Sequence, residues 1–454
     1  MLVPHEPDID PRIRWVADLC VAIGHTDIIG IMPRLEEDSV QEKPAREYAH
    51  GRYVERINIS EYASNAAKFL AKAGRVLSPV GSMRRHEQRQ MGGVDPSVQD
   101  KTTVGLFRRL DCQIRGALRF LVGWSVYNLI IDALYRRARA VSLVPRLVVC
   151  HDLFALAAGV RLKKHLKCAV IYDAHEYWPE ADLLAEQWER KVTTWIEGRL
   201  IRQADAVVTV SPPLAALLER QYGLSGVISA PNAEPIDRQN SVREVKPASL
   251  PIKCLFQGRV EQHRGLDELL DAWKGVGELE AVLYLRCPEN EFLAYLKRRY
   301  QELFTQKRLL LLLPVKEEEL VSAASFADIG IIPYMGPNRN HELGCPNKLS
   351  QYMQAGLAIL ANQSTFVREV IERYQCGMVY DAHKAETLVQ AVRHLAEHRD
   401  ILGDMKRRAR EGAVKEFNWS VQSADYRMAI ERAFRAGERN SLAGASSRAP
   451  AEQL

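Results

Sequence analysis

Two short clusters in the second half of the chain gather side chains suited to holding an anion. Phe256-Gln257-Gly258-Arg259 ends an apolar run, and Arg264-Gly265 follows five residues beyond Arg259, immediately before a helical pattern. Ligands of open parallel sheets bind beyond the carboxyl ends of the strands. Gly258, Arg259 and Arg264 therefore fall where two guanidinium groups would clamp a diphosphate through charge-assisted hydrogen bonds. The second cluster is Cys345-Pro346-Asn347-Lys348-Leu349-Ser350-Gln351, continuing to Ala355-Gly356. It predicts a helix that opens after Pro346 with Asn347 as N-cap and closes at Gly356 before a buried strand. Its N-terminus offers N–H groups and a positive dipole end to phosphate. Lys348 adds a cation in the same turn, and Gln351, one turn further in, is placed to reach sugar hydroxyls.

The elements that must carry these residues alternate between strand-like apolar runs and amphipathic helices, the pattern of a doubly wound α/β chain. Asp10-Pro11 opens a helix to Ile23 with Ile13, Val16, Ala17, Cys20 and Ile23 on one face, and Asp27 to Met32 follows as a strand. Residues 34–104 are polar and irregular and read as a mobile loop region. Order returns with strands at Leu147–Cys150, Ala169–Asp173, Ala206–Val210 and Val227–Ala230, with helices at Phe154–Leu166, Asp182–Gln203 and from Ser211-Pro212 to Gly223. His151-Asp152 and His175 then lie at strand ends. A polar stretch, Glu234 to Ser249, separates this series from a second, with strands at Ile252–Phe256, Val282–Leu285, Leu309–Leu313, Ile329–Ile332 and Ile359–Ala361. The expected domains are 1–240 and 250–425, with a disordered Ala-, Ser-, Gly- and Arg-rich tail over 436–454.

Composition narrows the function. The 454 residues are 47% hydrophobic and 26% charged, and 62 basic against 57 acidic residues leave only +5, too little to argue for a nucleic-acid protein. None of the eight cysteines forms a C-x-x-C pair, so buried thiols are expected rather than zinc or disulfides. No signal peptide is indicated, and Leu118 to Leu134 is broken by Arg119, Asn128 and Asp132, so a cytoplasmic protein without a membrane span is expected. Asp8-Ile9-Asp10 reads as a helix cap rather than a metal site. The motifs G-x-x-x-x-G-K-[ST], G-x-G-x-x-G and H-E-x-x-H are absent, which removes the simplest triphosphatase, dinucleotide and zinc-protease readings. Residues 101–139 interleave Lys101, Arg108, Arg109, Arg115, Arg119, Arg136, Arg137 and Arg139 with Phe107, Phe120, Trp124, Tyr127 and Tyr135. Such a stretch suits either an anionic membrane surface or an ordinary helix packed on the first domain with a solvated basic face.

In order and spacing the chain resembles the family 4 retaining glycosyltransferases of the GT-B fold. The resembling pieces are Gly258-Arg259 with Arg264-Gly265, Ala327-Asp328-Ile329-Gly330 with Pro333-Tyr334, and Pro346-Asn347-Lys348 with Tyr352-Met353 and Ala355-Gly356. In the first half they are His151-Asp152, Tyr172-Asp173-Ala174-His175-Glu176, Ala204-Asp205 with Val210-Ser211-Pro212, and Pro231-Asn232. The resemblance implies two Rossmann-like domains facing each other across a cleft. It also implies transfer of a sugar from a nucleotide-sugar donor to a glycan or lipid-linked acceptor with retention, in cell-envelope polysaccharide or glycolipid synthesis, without a divalent metal or other cofactor. Arg259 and Arg264 match the pair that holds the donor diphosphate, Asn347 and Lys348 the helix start beside it, and His175 a histidine facing the donor sugar. His151 and Asp152 are implied to face the cleft.

The chain also departs from that pattern. The family's paired glutamates, spaced Glu-x7-Glu, end here at Gln351, and the first falls at Leu343 with Glu342 one residue away. The glycine turn of the second domain reads Arg286-Cys287-Pro288-Glu289, and the chain opens Leu2-Val3-Pro4 where a Gly-rich turn often follows the first strand. With a neutral amide at Gln351, restoring the carboxylate (Gln351→Glu) is expected to tighten donor binding. Two other readings remain open at this stage: a catalytically silent binder of nucleotide sugars or of a partner, and a sugar-nucleotide epimerase. The Pro346–Gly356 cluster favours the transferase over the epimerase.

Overall fold

A computed structural model describes residues 1–5, 7, 10–31, 45–49, 51–58, 123–181, 186–236, 247–262, 264–277, 280–334 and 338–446. The chain forms two compact units that interleave in sequence: Met1–Asp173 with Leu184–Ala206 and Glu431–Leu454, and Ala174–Leu183 with Val207–Ile430. Contacts thus part the chain elsewhere than at 240–250.

In the first unit, Asp10 caps the helix Pro11–Val21 by accepting the Arg12 N–H at 2.9 Å, with Pro11 in the first turn. This is the cap read from the sequence. Strands β1 (Asp27–Ile31), β2 (Arg46–Ala49) and β3 (Arg52–Ile57) form one sheet in the order β1-β3-β2. Part of the expected loop 34–104 is therefore a hairpin, closed at Gly51 in the left-handed region. It escaped the pattern because cations flank Val54 on its inward side: Arg52 and Arg56 are buried and pair with Asp18 and Glu47. Met1 to Val3 supplies the missing first strand through four backbone hydrogen bonds. Leu2 bridges in parallel to Ile29 of β1 and to Cys150 of β4 (Leu147–His151), and β4 pairs in parallel with β5 (Ala169–Ala174).

The helix at residues 123–139 buries Ile130, Ile131, Leu134 and Tyr135. Its cations are engaged on the protein: Arg136 with Asp132, Arg137 with Glu55, and Arg139 over the Tyr135 ring. The described part of the basic aromatic stretch is thus a packed helix, and Lys101 to Phe120 lie outside the described residues.

The last helix, Trp419–Ser446, corrects the expected tail, whose described portion is helical. Its Ala, Arg and Glu residues are strong helix formers. Phe434 lies under the Arg146 guanidinium and Gly437 approaches Ala169, which is why this end returns to the first unit.

The second unit holds β6 (Ala206–Thr209) paired in parallel with β7 (Ile228–Ser229). Between them runs the helix Pro212–Tyr222, capped by Ser211 and ended by Gly223 in the left-handed region. Its main sheet comprises β8 (Ile252–Gln257), β9 (Ala281–Arg286), β10 (Leu309–Leu312), β11 (Ile329–Ile332), β12 (Ala358–Asn362) and β13 (Gly377–Tyr380). The order is β10-β9-β8-β11-β12-β13, with every pairing parallel. Counted from β8 this is 3-2-1-4-5-6, the doubly wound arrangement whose direction reverses between its first and fourth strands. Trp273, Leu285, Ile331 and Leu360 fill a core shared by the sheet and its helices. Among the described residues no helix is long and apolar enough to cross a membrane.

Candidate functional site

The reversal point lies between β8 and β11, and the residues leaving those strands are Gly258-Arg259 and Pro333-Tyr334. Connections diverge to opposite faces there, which opens a crevice at the strand ends. The helix Asn347–Ala355 is fixed at the same place. The Tyr352 hydroxyl is 2.8 Å from the Gln257 amide that donates to it, and Tyr352 packs over Gly330, where an added Cβ would meet its ring at 2.2 Å. Gly330 is therefore a packing requirement. Pro346, rather than Asn347, occupies the N-cap, and Asn347 is the first helical residue. Proline's ring presets the backbone and it has no N–H to leave unpaired. Asn347 Oδ1 is buried and has no hydrogen-bond partner among the described residues.

Lys348 is 6% exposed. Its Nζ lies 4.0 Å from the centre of the Phe256 ring and 4.8 Å from that of Tyr334, and the Arg264 guanidinium lies 6.0 Å from the Tyr334 centre. Burial pulls Lys348 below the ordinary lysine range; Tyr334 opposes this and Arg264 adds to it. Burial pushes the Tyr334 phenol up, but Lys348 and Arg264 outweigh it and leave the phenol below its ordinary value. Gly258 faces this cation. Its φ of +131° is a glycine conformation, and a Cβ there would lie 3.4 Å from Lys348 Nζ. Among the described residues no carboxylate forms an ion pair with Lys348. Arg264 pairs with Glu261 at 2.7 Å, and Arg259 is exposed in the same loop.

Gln351 is placed differently from the expectation. It is 5% exposed, and both ends of its amide are used. Oε1 accepts from Gln257 Nε2 at 2.9 Å, and Nε2 donates to Glu234 Oε1 at 2.9 Å. Gln257 Oε1 in turn accepts from Arg286 at 3.2 Å, a residue beside it in the β8–β9 register. A buried cation and a carboxylate are thus joined through two amides. Glu234 is held by its backbone as well: its N–H donates to Ser350 Oγ at 2.7 Å, and its carbonyl accepts from Gln354 at 2.7 Å. The expectation for Gln351→Glu therefore changes sign. A second carboxylate would face Glu234 and lose the donor that now binds it, costing about 1–3 kcal/mol. We expect this variant to lower the melting temperature and not to tighten nucleotide binding, as read by thermal shift with and without UDP. Glu342 does not substitute: it is exposed and accepts from Thr365 at 3.3 Å.

The first-half candidates divide between the units. His151 and Asp152 belong to the first. His151 is fully buried with Nδ1 3.3 Å from Asp173, and Asp152 starts the helix Asp152–Leu166 with φ of +66°, a strained conformation that Asp tolerates better than most residues. His175 belongs to the second unit. Its segment is tied down at Tyr177, whose N–H donates to Asn340 Oδ1 at 2.6 Å, and at Glu180, which accepts from Arg339 Nε at 2.7 Å. Gly258, Arg264, Asn347, Lys348 and Gln351 thus gather at the switch point of the second unit, Glu342 turns to Thr365, and His151 and Asp152 belong to the first unit. Glu234, Gln257 and Arg286 were missed. Only Arg286 carried a sequence signal, as a bulky replacement in an expected glycine turn.

Residues 237–412 match the family model described as glycosyl transferases group 1, and residues 60–227 match the glycosyl transferase 4-like domain. No curated protein matches the sequence. Among solved structures, sucrose-phosphate synthase from Thermosynechococcus elongatus is similar with a TM-score of 0.65 at 13% identity, over 96% of this chain and 98% of that one. A trehalose-6-phosphate synthase gives 0.61 at 11% identity, over 95% and 98%. Anabaena HepE in complex with UDP gives 0.53 at 13% identity, over 66% and 82%. The two family matches together span most of the chain, which belongs to the glycosyltransferases of the GT-B type, an α/β fold of two Rossmann-like domains.

Proposed function

We propose that the protein transfers a hexosyl unit from a nucleotide-sugar donor to a glycan or lipid-linked acceptor, with retention of configuration. We place the reaction in cell-envelope polysaccharide or glycolipid synthesis, with the protein cytoplasmic and peripheral to the membrane. The observation that carries this reading is Lys348. It is an ammonium buried against two aromatic rings, beside Arg264 and a glycine, at the switch point of a doubly wound sheet, with no ion-paired carboxylate among the described residues. Buried charge is costly without a counter-ion, and a nucleoside diphosphate supplies one. Lys348, Arg264 and Arg259 would then neutralise the departing diphosphate as the glycosidic bond breaks, charge stabilisation that fixed cations provide without a metal. The Asn347 side chain and the first N–H groups of its helix would complete the cradle.

Titration with UDP and UDP-glucose, ligands of the similar HepE structures, tests the donor site. Arg264→Ala is expected to weaken binding about tenfold, or roughly 1.5 kcal/mol for one charge-assisted hydrogen bond. Arg264→Lys should restore most of it, and transfer should persist in EDTA. Wild-type affinity in the Ala variant would remove Arg264 from the site. Binding without turnover on any acceptor would select the catalytically silent reading.

A further inference from the structure

The helix Gln187–Ile201 in the first unit has spent its acids inward. Glu189 closes a capping box by accepting the Glu186 N–H at 2.6 Å and is 4% exposed. Glu197 is fully buried and accepts from the Tyr172 hydroxyl at 2.7 Å. The opposite side is a line of five residues, Trp188, Lys191, Trp195, Arg199 and Arg202, all exposed. Their spacings of three and four keep them on one helical face. Trp195 is 61% exposed and Trp188 38%, and the Arg199 guanidinium lies 5.0 Å over the Trp195 ring. The N-cap Glu186 accepts from Trp188 Nε1 at 3.0 Å, and against that single carboxylate the two exposed indoles and three cations leave this face apolar and net positive.

We infer that this face seats the protein on an anionic lipid surface, with Trp188 and Trp195 entering the headgroup layer and Lys191, Arg199 and Arg202 binding lipid phosphates. Indole rings settle at the membrane interface because they are amphipathic. Cations flanking them gain from the negative surface potential, and a helix lying in the plane combines both contributions. The inference deepens the peripheral placement proposed above by assigning it to a surface, which is not the 101–139 stretch singled out in the sequence. A purely acidic protein partner would be recognised by the cations without requiring both indoles.

The test is co-sedimentation of the full chain with vesicles of phosphatidylcholine alone or with added phosphatidylglycerol, with UDP affinity measured on the same preparations. Wild type is expected to partition at least tenfold more strongly onto the anionic vesicles and to be released by salt. Lys191→Gln/Arg199→Gln/Arg202→Gln should lose that preference, and Trp188→Ser/Trp195→Ser should bind at least tenfold less, both with unchanged UDP affinity and melting temperature. Quenching of wild-type tryptophan fluorescence by brominated lipid, present only in anionic vesicles, reads insertion without any variant. Wild type remaining in the supernatant with both vesicles overturns the inference. So does equal binding to both, or anionic binding that survives loss of both tryptophans. Absent UDP binding with intact vesicle binding would instead fault the donor site and leave this face standing.

Discussion

Lys348→Met is expected to abolish nucleoside-diphosphate binding while raising the melting temperature of the ligand-free protein. The side chain is buried between Phe256 and Tyr334, and its ordinary lysine value of 10.5 is lowered chiefly by burial. The unfolded chain therefore holds this proton more tightly than the folded one. Ligand-free stability should rise as pH climbs through the depressed folded value toward the unfolded one, and below the folded value the cost of the buried charge is fully present. Methionine fills similar volume without that cost. A bound diphosphate reverses the preference by favouring the ammonium, so wild-type affinity should fall as pH rises through the folded value. Loss of the cation against a desolvated diphosphate should cost about 2–4 kcal/mol of binding. Calorimetric titration across pH, with melting curves of both proteins, checks the two signs together. A variant less stable than wild type and still able to bind would contradict both.

Asp173→Ala should be the most destabilising single change in the first unit. Asp173 and Arg12 are both fully buried, and the guanidinium donates to the carboxylate through Nε at 3.0 Å and a terminal nitrogen at 2.8 Å. Removing the carboxylate strands a buried cation and also takes away the partner of His151 Nδ1. The expected loss is about 3–5 kcal/mol, whereas the paired replacement Arg12→Met/Asp173→Leu should recover most of it, because the pair itself gains little over apolar side chains. Urea unfolding followed by far-UV circular dichroism measures both. Equal losses in the single and double variants would show that the ion pair contributes net stability.

The sequence shows most clearly where one rule dominates. Buried parallel strands are continuous apolar runs, so Ile329–Ile332 could be read without an offset, and the switch-point cations followed from strand ends and a helix start. The hairpin of β2 and β3 was not legible because its buried face carries Arg52 and Arg56, whose acid partners are Asp18 in the first helix and Glu47 on the paired strand. The first strand was not legible because Leu2 needs only two bridges to join the sheet. At the site, the residue type of Gln351 was informative and its surroundings were not. Glu234 lies 117 residues away and meets it only after the sheet and the Asn347–Ala355 helix have formed. Pairing across such a separation leaves no local periodicity to read.

The described cysteines form no disulfide, and nearly all are buried. Burial drives the Cys150 and Cys254 thiols upward, as it drives Cys20, Cys168 and Cys287 to about 11 and Cys376 to about 12. Alkylating reagents attack the thiolate, so in the native protein these sulfurs react only through transient opening. Cys150 lies in β4 of the first unit and Cys254 in β8 of the second, both fully sealed. Each unit thus carries its own internal clock. The labelling rate at either sulfur gives the free energy of opening of the unit around it, and a donor nucleotide seated at Lys348 should slow the clock at Cys254.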